Sequence, residues 1–114
     1  MVTRDDTIFV SGCIGLTADT GAFAGDTVEA QTKQVLQNLA AILAEGGASA
    51  GDIVKTTVLL DDMDDFGAVN ALYQQFFEGY DVPARACFAA KQLPKGALVE
   101  IEAVAVRPAA VRSE

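Results

Sequence analysis

Residues 83–106 of the sequence, PARACFAAKQLPKGALVEIEAVAV, decide the fold. The runs 84–90 and 98–106 are rich in small, β-branched and aromatic side chains, and each has the length of a strand. Pro94 and Gly96 lie between the two runs and indicate a turn. The sequence therefore predicts two strands, and we expect them to pair as an antiparallel hairpin with a longer loop.

Upstream of this region, strand patterns alternate with helix patterns. Residues 7–14 and 52–60 are predicted to form mostly buried strands. A second amphipathic helix is predicted from residue 66 to about residue 78. The first helix is indicated by apolar residues at spacings of four and three, which are Val28, Thr32, Val35, Leu39 and Ile42. The order β-α-β-α-β-β predicts an α+β sandwich, one mixed sheet with two helices on one face.

Composition limits the possible functions. The 114 residues fit a single domain spanning 1–114, and the net charge of −8 disfavours a nucleic-acid partner. The chain has no His, which removes Ser-His-Asp catalysis and the commonest zinc ligand, and its two Cys cannot form a zinc site alone. No apolar signal segment or membrane-spanning run is present in the sequence. We therefore expect a cytoplasmic protein with no metal and no membrane partner.

The final strand predicts association between subunits. One of its faces carries Leu98, Glu100, Glu102, Val104 and Val106, and the other carries Val99, Ile101, Ala103 and Ala105. Both faces are substantially apolar, which solvent would not favour on an open sheet. A closed cyclic homo-oligomer is the simplest way to cover the second face.

Arg85 and Cys87 are candidate functional residues, because they lie two positions apart on one predicted strand and point to the same side. A guanidinium at a strand end can bind a carboxylate through two parallel hydrogen bonds. The alternative is an ordinary salt bridge at the surface or at an interface. Cys87 has no His to activate it, so a packing role for this thiol is favoured.

Two acids in the final strand are further candidates. A carboxyl group in an apolar setting has a raised pKa and can act as an acid or a base near neutral pH. For Glu100 this interpretation and an ion pair across an interface are equally favoured, whereas for Glu102 the ion pair is favoured. Four Asp within residues 61–65 indicate a helix N-terminus rather than a metal site, because the Gly and distal Glu of a calcium loop are missing.

Polar residues outside these strands carry weaker signals. Ser11 and Gly12 end the first strand, where a glycine allows a ligand to come close, although turning is an equally ordinary reason for one. Asn70 lies at the edge of the apolar stripe of the second helix, where an Asn is usually only solvated.

Several segments together resemble the RidA/YjgF family, the reactive-intermediate (enamine/imine) deaminases. The resemblance is carried by residues 83–87 (PARAC), by Leu93-Pro94 and by residues 99–106 (VEIEAVAV). Residues 8–12 (IFVSG) and 69–73 (VNALY) agree with the family in the same order. The match extends from about Asp6 to Arg107, and its segments are specific when taken jointly.

The resemblance implies a chorismate-mutase-like, bacillus-type α+β sandwich and a homotrimeric barrel with sites in the clefts between subunits. It implies hydrolysis of a small 2-imino acid to a 2-oxo acid and ammonia, without a cofactor. Arg85 would bind the substrate carboxylate, and Glu100 would orient or activate the attacking water. Cys87 would line the site, and further residues matching positions near the substrate are Ser11, Gly12 and Asn70.

Other functions also have to be weighed. Family members usually carry an earlier segment with a Gly-Pro-Tyr motif whose Tyr reaches the site, and this sequence starts after it. That difference motivates the second hypothesis, a trimer that binds small carboxylate metabolites without turning them over. RNA cleavage is disfavoured by the charge of −8 and by the lack of His. A chorismate-mutase-type rearrangement is disfavoured because only one Arg is expected in the cleft, and a fold does not decide a function.

Overall fold

The secondary structure follows the predicted order. A computed structural model describes residues 1–2 and 5–108 of the chain. The strands and helices of the described residues are β1 (Thr7–Cys13), α1 (Val28–Glu45), β2 (Ile53–Leu60), α2 (Phe66–Phe76), β3 (Ala84–Ala89) and β4 (Val99–Val106). The α+β architecture predicted from the sequence is therefore confirmed.

The strand order in the sheet is β1-β4-β2-β3. Strand β4 is antiparallel to both β1 and β2, whereas β3 is parallel to β2, so the sheet is mixed. The predicted hairpin between β3 and β4 is wrong, because β2 lies between them. Helix α2 carries the chain back along the sheet after β2, so β3 enters parallel to β2 at the edge, as strand-helix-strand units do.

One face of the sheet packs against the two helices. Along β4 the alternate residues Val99, Ile101 and Ala103 are buried on this side. Helix α1 contributes Leu39 and Leu43, both fully buried, to the same core. Ile42, which the sequence places in the stripe, is instead 46% exposed. Leu43, four residues after Leu39, continues the buried row, and Ile42 falls on its flank.

The opposite side of the sheet, here called the open face, is not covered by a helix of the described residues. It carries alternate residues of every strand, including Phe9 of β1 and Phe88 of β3, which are 49% and 52% exposed. Polar side chains share this face, among them Lys55 and Thr57 of β2 and Glu102 of β4, which line a groove of about 280 Å³. This exposed, partly apolar surface is the face that the sequence predicts will be covered by another subunit.

An ion pair and its neighbouring hydrogen bonds join the start of β1 and the end of β4 to the end of α1. Arg107 Nε donates to the buried Asp6 Oδ1 at 2.8 Å, and the backbone N–H of Arg107 donates to the Asp6 carbonyl at 3.0 Å. Arg107 Nη1 also donates to the Gly46 carbonyl at the end of α1, at 3.2 Å. A cation there interacts favourably with the helix C-terminus. Within the described ranges, none of the helices has the length and apolarity needed to cross a bilayer.

Candidate active site

Arg85 is held in a defined position against α2. Its Nη1 donates to Asn70 Oδ1 at 2.7 Å. Its guanidinium carbon lies 4.7 Å from the centroid of the Tyr73 ring and 5.4 Å from that of Phe66. The three partners recur at helical spacing on one side of α2, so the helix presents a ready-made seat for a cation. The remaining N–H groups of Arg85 are left to bind an anion.

The seat is rigid because its aromatic floor is anchored in the core. Tyr73 is 1% exposed, and its hydroxyl lies 2.7 Å from Thr56 Oγ1 on the neighbouring strand β2. Thr56 is also the residue that pairs with Arg85 in the parallel ladder. Burial raises the pKa of Tyr73, partly offset by the Thr56 hydrogen bond and by Arg85, so the phenol stays protonated and neutral.

Cys87 lies on the same side of β3 as Arg85, as predicted. Its ladder partner is Val58, which is buried against the helices. Burial raises the pKa of the Cys87 thiol, and the nearby Arg85 opposes this only in part. The thiol is therefore protonated at neutral pH and is not an activated nucleophile. We call Arg85, Asn70, Cys87, Phe66 and Tyr73 the arginine half-site.

Glu100 lies on the other side of the sheet and covers Gly12. The ladder between β1 and β4 shifts register between Val10 and Cys13, so β1 carries a bulge at Ser11 and Gly12. A Cβ built on Gly12 would lie 1.8 Å from Glu100 Oε2 and 2.7 Å from its Cδ. Only a glycine allows this approach, which supplies the reason for Gly12 that the sequence left open.

Two neighbours complete this region. Cys13 is buried, its thiol contacts the Ser11 carbonyl at 3.6 Å, and its pKa is raised by burial and by the charge of Glu100. Ser11 is exposed and lines the groove on the open face. We call Glu100, Gly12, Ser11 and Cys13 the glutamate half-site.

The structure thus divides the predicted site residues into two groups. Arg85, Asn70 and Cys87 come together on the helix side of the sheet, and Ser11, Gly12 and Glu100 come together at the bulge. Arg85 on β3 and Glu100 on β4 are separated by strand β2, which is about 10 Å of sheet, and they point to opposite faces. Within one chain they do not face a common substrate.

Sequence reasoning missed the aromatic seat of Arg85. Phe66 and Tyr73 fall at helical spacing within the predicted second helix, where large apolar residues are expected to pack in the core, and nothing in that pattern indicates a cation beside them. The available signal was the spacing of Phe66, Asn70 and Tyr73, which places an amide between two rings on one helix side.

The acidic stretch behaves as the sequence predicts. Asp62 Oδ1 accepts a hydrogen bond from the backbone N–H of Asp64 at 2.9 Å, at the start of the turn that leads into α2. Desolvation raises the pKa of Asp65, and repulsion from Asp62 and Glu29 adds to this effect. Among the described residues, no group of three or more His, Cys, Asp or Glu is arranged to hold a metal ion.

Fold and half-sites together define a class of protein. It has an α+β sheet covered by helices on one face, with an arginine seated at the sheet edge for an anion and a carboxylate over a glycine bulge near the open face. A guanidinium held in this way can bind a carboxylate through two parallel hydrogen bonds.

Comparisons with known proteins name the family. The family model described as Endoribonuclease L-PSP matches residues 1–107. The chain is 46% identical over 106 residues to the 2-iminobutanoate/2-iminopropanoate deaminase of Mus musculus, covering 93% of this chain and 78% of that protein. It is 50% identical over 102 residues to a RutC family protein of Synechocystis, covering 89% and 78%. The crystal structure of the YjgF gene product of E. coli matches with a TM-score of 0.88 at 43% identity, covering 94% and 85%.

The chain belongs to the RidA/YjgF family, and the resemblance identified from the sequence is confirmed. Its sheet and helices have the chorismate-mutase-like arrangement of that family.

Proposed function

We propose that the protein hydrolyses small 2-imino acids to 2-oxo acids and ammonia, at sites shared between neighbouring subunits of a homotrimer. The observation that carries the proposal is that the guanidinium of Arg85 and the carboxylate of Glu100 lie far apart within one chain. Arg85 is fixed by its contacts with α2, whereas Glu100 lies over Gly12 on the opposite face of the same sheet. A second copy of the chain can bring its glutamate half-site to the arginine half-site of the first. The deaminase name of the mouse relative supports the same reaction.

Arg85 supplies the anchor for the substrate. Its charge is permanent, and its planar fork matches a carboxylate through two parallel hydrogen bonds. Because Asn70 and the Tyr73 ring already fix the guanidinium, little side-chain freedom remains to be lost on binding. The anchor places the adjacent imine carbon at a fixed distance from the arginine.

Glu100 acts on water. Its carboxylate accepts a proton from a water molecule while the water oxygen bonds to the imine carbon and the C=N π electrons move to nitrogen. The proton then passes from Glu100 to nitrogen, which gives an amino alcohol. The hydroxyl proton passes to the same nitrogen through Glu100, and the C–N bond breaks with release of ammonia as the carbonyl forms. One water is consumed, no electrons are exchanged, and the carbon is electrophilic enough to need no cofactor.

A complementation experiment tests the shared site. Arg85→Ala and Glu100→Gln should each lose activity as pure proteins. Unfolded together in equal amounts and refolded, they form mixed trimers in which about a quarter of the sites pair an intact arginine with an intact glutamate. We expect activity on imines generated in situ to recover to about a quarter of the wild-type value.

The control is Glu102→Gln, which removes the neighbouring acid on the same face of β4 and should leave activity near wild type. Sedimentation measures the mass of every sample. Trimers that mix but recover no activity would exclude a site shared in this way. Recovery above the activity of either pure variant requires the arginine half-site and the glutamate half-site of one reaction centre to come from two different chains.

A second candidate is a trimer that binds carboxylate metabolites without turnover. It is favoured by the arginine half-site, which is complete within one chain and independent of Glu100. Calorimetry would then detect binding of 2-oxobutanoate that disappears in Arg85→Ala, with no acceleration of imine hydrolysis. We do not propose a nuclease activity, because the net charge of −8 opposes a phosphate backbone.

A further inference from the structure

One of the three α2 partners of Arg85 presents apolar surface beside the guanidinium. Asn70 is already bonded to the guanidinium through its amide oxygen, and Tyr73 is fully buried. Phe66, the first residue of α2, is only half buried, and its ring centroid lies 5.4 Å from the guanidinium carbon. On the helix side of the arginine half-site, the ring of Phe66 is therefore the apolar surface that a bound molecule can contact.

The topology places Phe66 at the far end of the Arg85 side chain. Tyr73 lies level with the start of that side chain, because its hydroxyl contacts Thr56, the ladder partner of Arg85. Helix α2 runs back along the parallel strands β2 and β3, so its first residue, Phe66, lies nearer the end of β3 than Tyr73 does. The guanidinium, which contacts both rings, therefore extends along β3 toward Phe66. A molecule bound beyond the guanidinium meets the Phe66 ring.

The Phe66 ring is held in place from two directions. The backbone N–H of Phe66 donates to the Met63 carbonyl, and Asp62 Oδ1 closes the same turn by accepting from the N–H of Asp64 at 2.9 Å. The inner side of the ring packs against the hydrophobic core. Because a close-packed interior resists further insertion, the ring cannot retreat from a group that enters beside it.

We propose that the Phe66 ring limits the size of the substrate side chain, so that 2-imino acids with one or two side-chain carbon atoms are preferred. The inference rests on the proposed function. In a bidentate pair the carboxylate carbon lies about 4 Å from the guanidinium carbon, and the imine carbon lies about 1.5 Å farther. The groups bonded to the imine carbon are thus about 5–7 Å from the guanidinium carbon, the range in which the Phe66 ring lies.

Of the two other groups on the imine carbon, the side chain is the one that suits Phe66. The nitrogen has to receive protons during hydrolysis, and a phenyl ring has none to give. A polar nitrogen against the ring would also lose its water without gaining a partner, whereas an apolar side chain gains from the contact. The nitrogen therefore faces Glu100 of the neighbouring copy, and the side chain faces the ring.

The fixed ring then sets a limit on length. A methyl or ethyl group extends about 1.5 or 2.5 Å from the imine carbon and can lie beside the ring. A leucine-type side chain extends about 4 Å and branches, so it would need the space that the ring occupies. One methylene too many or too few in a hydrophobic pocket changes kcat/KM by about tenfold or more.

The test removes the ring and compares substrates of increasing size. Phe66→Ala is measured beside the matched control Phe76→Ala. Phe76 is the last residue of the same helix and is also half buried, but it lines a groove against α1. Phe66→Leu, which keeps an apolar side chain of intermediate size, provides a second variant in case Phe66→Ala does not fold. Sedimentation checks that all samples have the mass of the wild type.

Imines of alanine, 2-aminobutyrate, norvaline and leucine are generated in situ by an amino-acid oxidase with catalase. The deciding quantity is the ratio of kcat/KM for the leucine imine to that for the alanine imine, because a general loss of Arg85 positioning would lower both values. We expect a ratio of about one tenth or less in the wild type and in Phe76→Ala. Phe66→Ala should raise the ratio by at least about tenfold, with Phe66→Leu in between.

The outcomes separate this inference from the proposed function. A ratio that neither Phe66 variant changes, while both remain active on the alanine imine, would overturn the role of Phe66 and leave the proposed function standing. If the wild type accelerates no imine, the proposed function fails, and calorimetry with the four corresponding 2-oxo acids decides about Phe66. Tighter binding of the small 2-oxo acids that is lost in Phe66→Ala but kept in Phe76→Ala would support the limit. Binding without a size preference would overturn it.

Discussion

Replacing Gly12 with Ala would displace the carboxylate of Glu100 while leaving the backbone almost unchanged. The new Cβ would stand 1.8 Å from Glu100 Oε2. Contact between such atoms needs about 3.5 Å, so the carboxylate has to withdraw by about 1.7 Å. A misplacement of about 1 Å in a catalytic group typically costs about 100-fold in rate. We therefore expect Gly12→Ala to lower kcat for imine hydrolysis by about 100-fold or more.

The stability of the variant should change little. Glu100 is only half buried and its side chain can turn toward solvent, so the free energy of unfolding should fall by less than about 1 kcal/mol. For a domain of this size that corresponds to a melting temperature within about 5 °C of wild type. Activity and stability are therefore affected to very different degrees by a single methyl group.

The assay measures kcat and KM on an imine generated in situ, together with thermal unfolding. Gly67→Ala is the matched control, because a Cβ at this position in α2 meets no atom within 4 Å. That variant should gain about 0.5 kcal/mol in helix stability and keep full activity. If Gly12→Ala folds normally and retains wild-type kcat, the position of the Glu100 carboxylate over the bulge is not what the reaction uses.

Three further outcomes follow from the contacts. Tyr73→Phe removes the hydroxyl partner of the buried Thr56 and should cost about 1–3 kcal/mol in urea unfolding, while activity stays within about twofold because the ring remains beneath the arginine. An unchanged unfolding midpoint would contradict it. Arg107→Ala removes the ion pair with Asp6 together with the hydrogen bond to the Gly46 carbonyl, and should cost about 1–3 kcal/mol in the free energy of unfolding, whereas an unaffected melting curve would mean that these contacts are not stabilising. The raised pKa of Cys87 means that alkylation by iodoacetamide should be slower at neutral pH than that of free cysteine, and its rate should level off only above the ordinary thiol range. Labelling at pH 7 as fast as that of free cysteine would refute it.

The regular periods of the sequence were sufficient to predict most of the fold. The two-residue alternation of side chains in a strand correctly separates Val99 and Ile101 from Glu100 and Glu102 in β4. The same alternation places Arg85 and Cys87 on one side of β3. These predictions succeed because alternation is a property of the strand itself. Which of the two alternating sets of side chains faces the helices depends on where the helices pack, and only the structure shows this.

The alternation pattern does not predict which strands pair with each other when they are distant in the sequence. The hairpin between β3 and β4 was the local default for consecutive strands, and no nearby residue signals that β2 separates them. The seat of Arg85 depends on the same non-local pairing, since Thr56 and Tyr73 reach Arg85 only when β3 lies parallel to β2. The role of Gly12 likewise depends on a side chain 88 positions later in the sequence.

The placement of the two half-sites would link subunit association to the proposed chemistry. An arginine half-site alone could bind a carboxylate but has no carboxyl group to take a proton from water. A glutamate half-site alone polarises water but has no cation to hold the substrate near it. Because the sheet puts the two on opposite faces, an isolated subunit would hold an imine without hydrolysing it. Covering the partly apolar open face through association would then complete the proposed reaction centre in the same step that removes Phe9 and Phe88 from water.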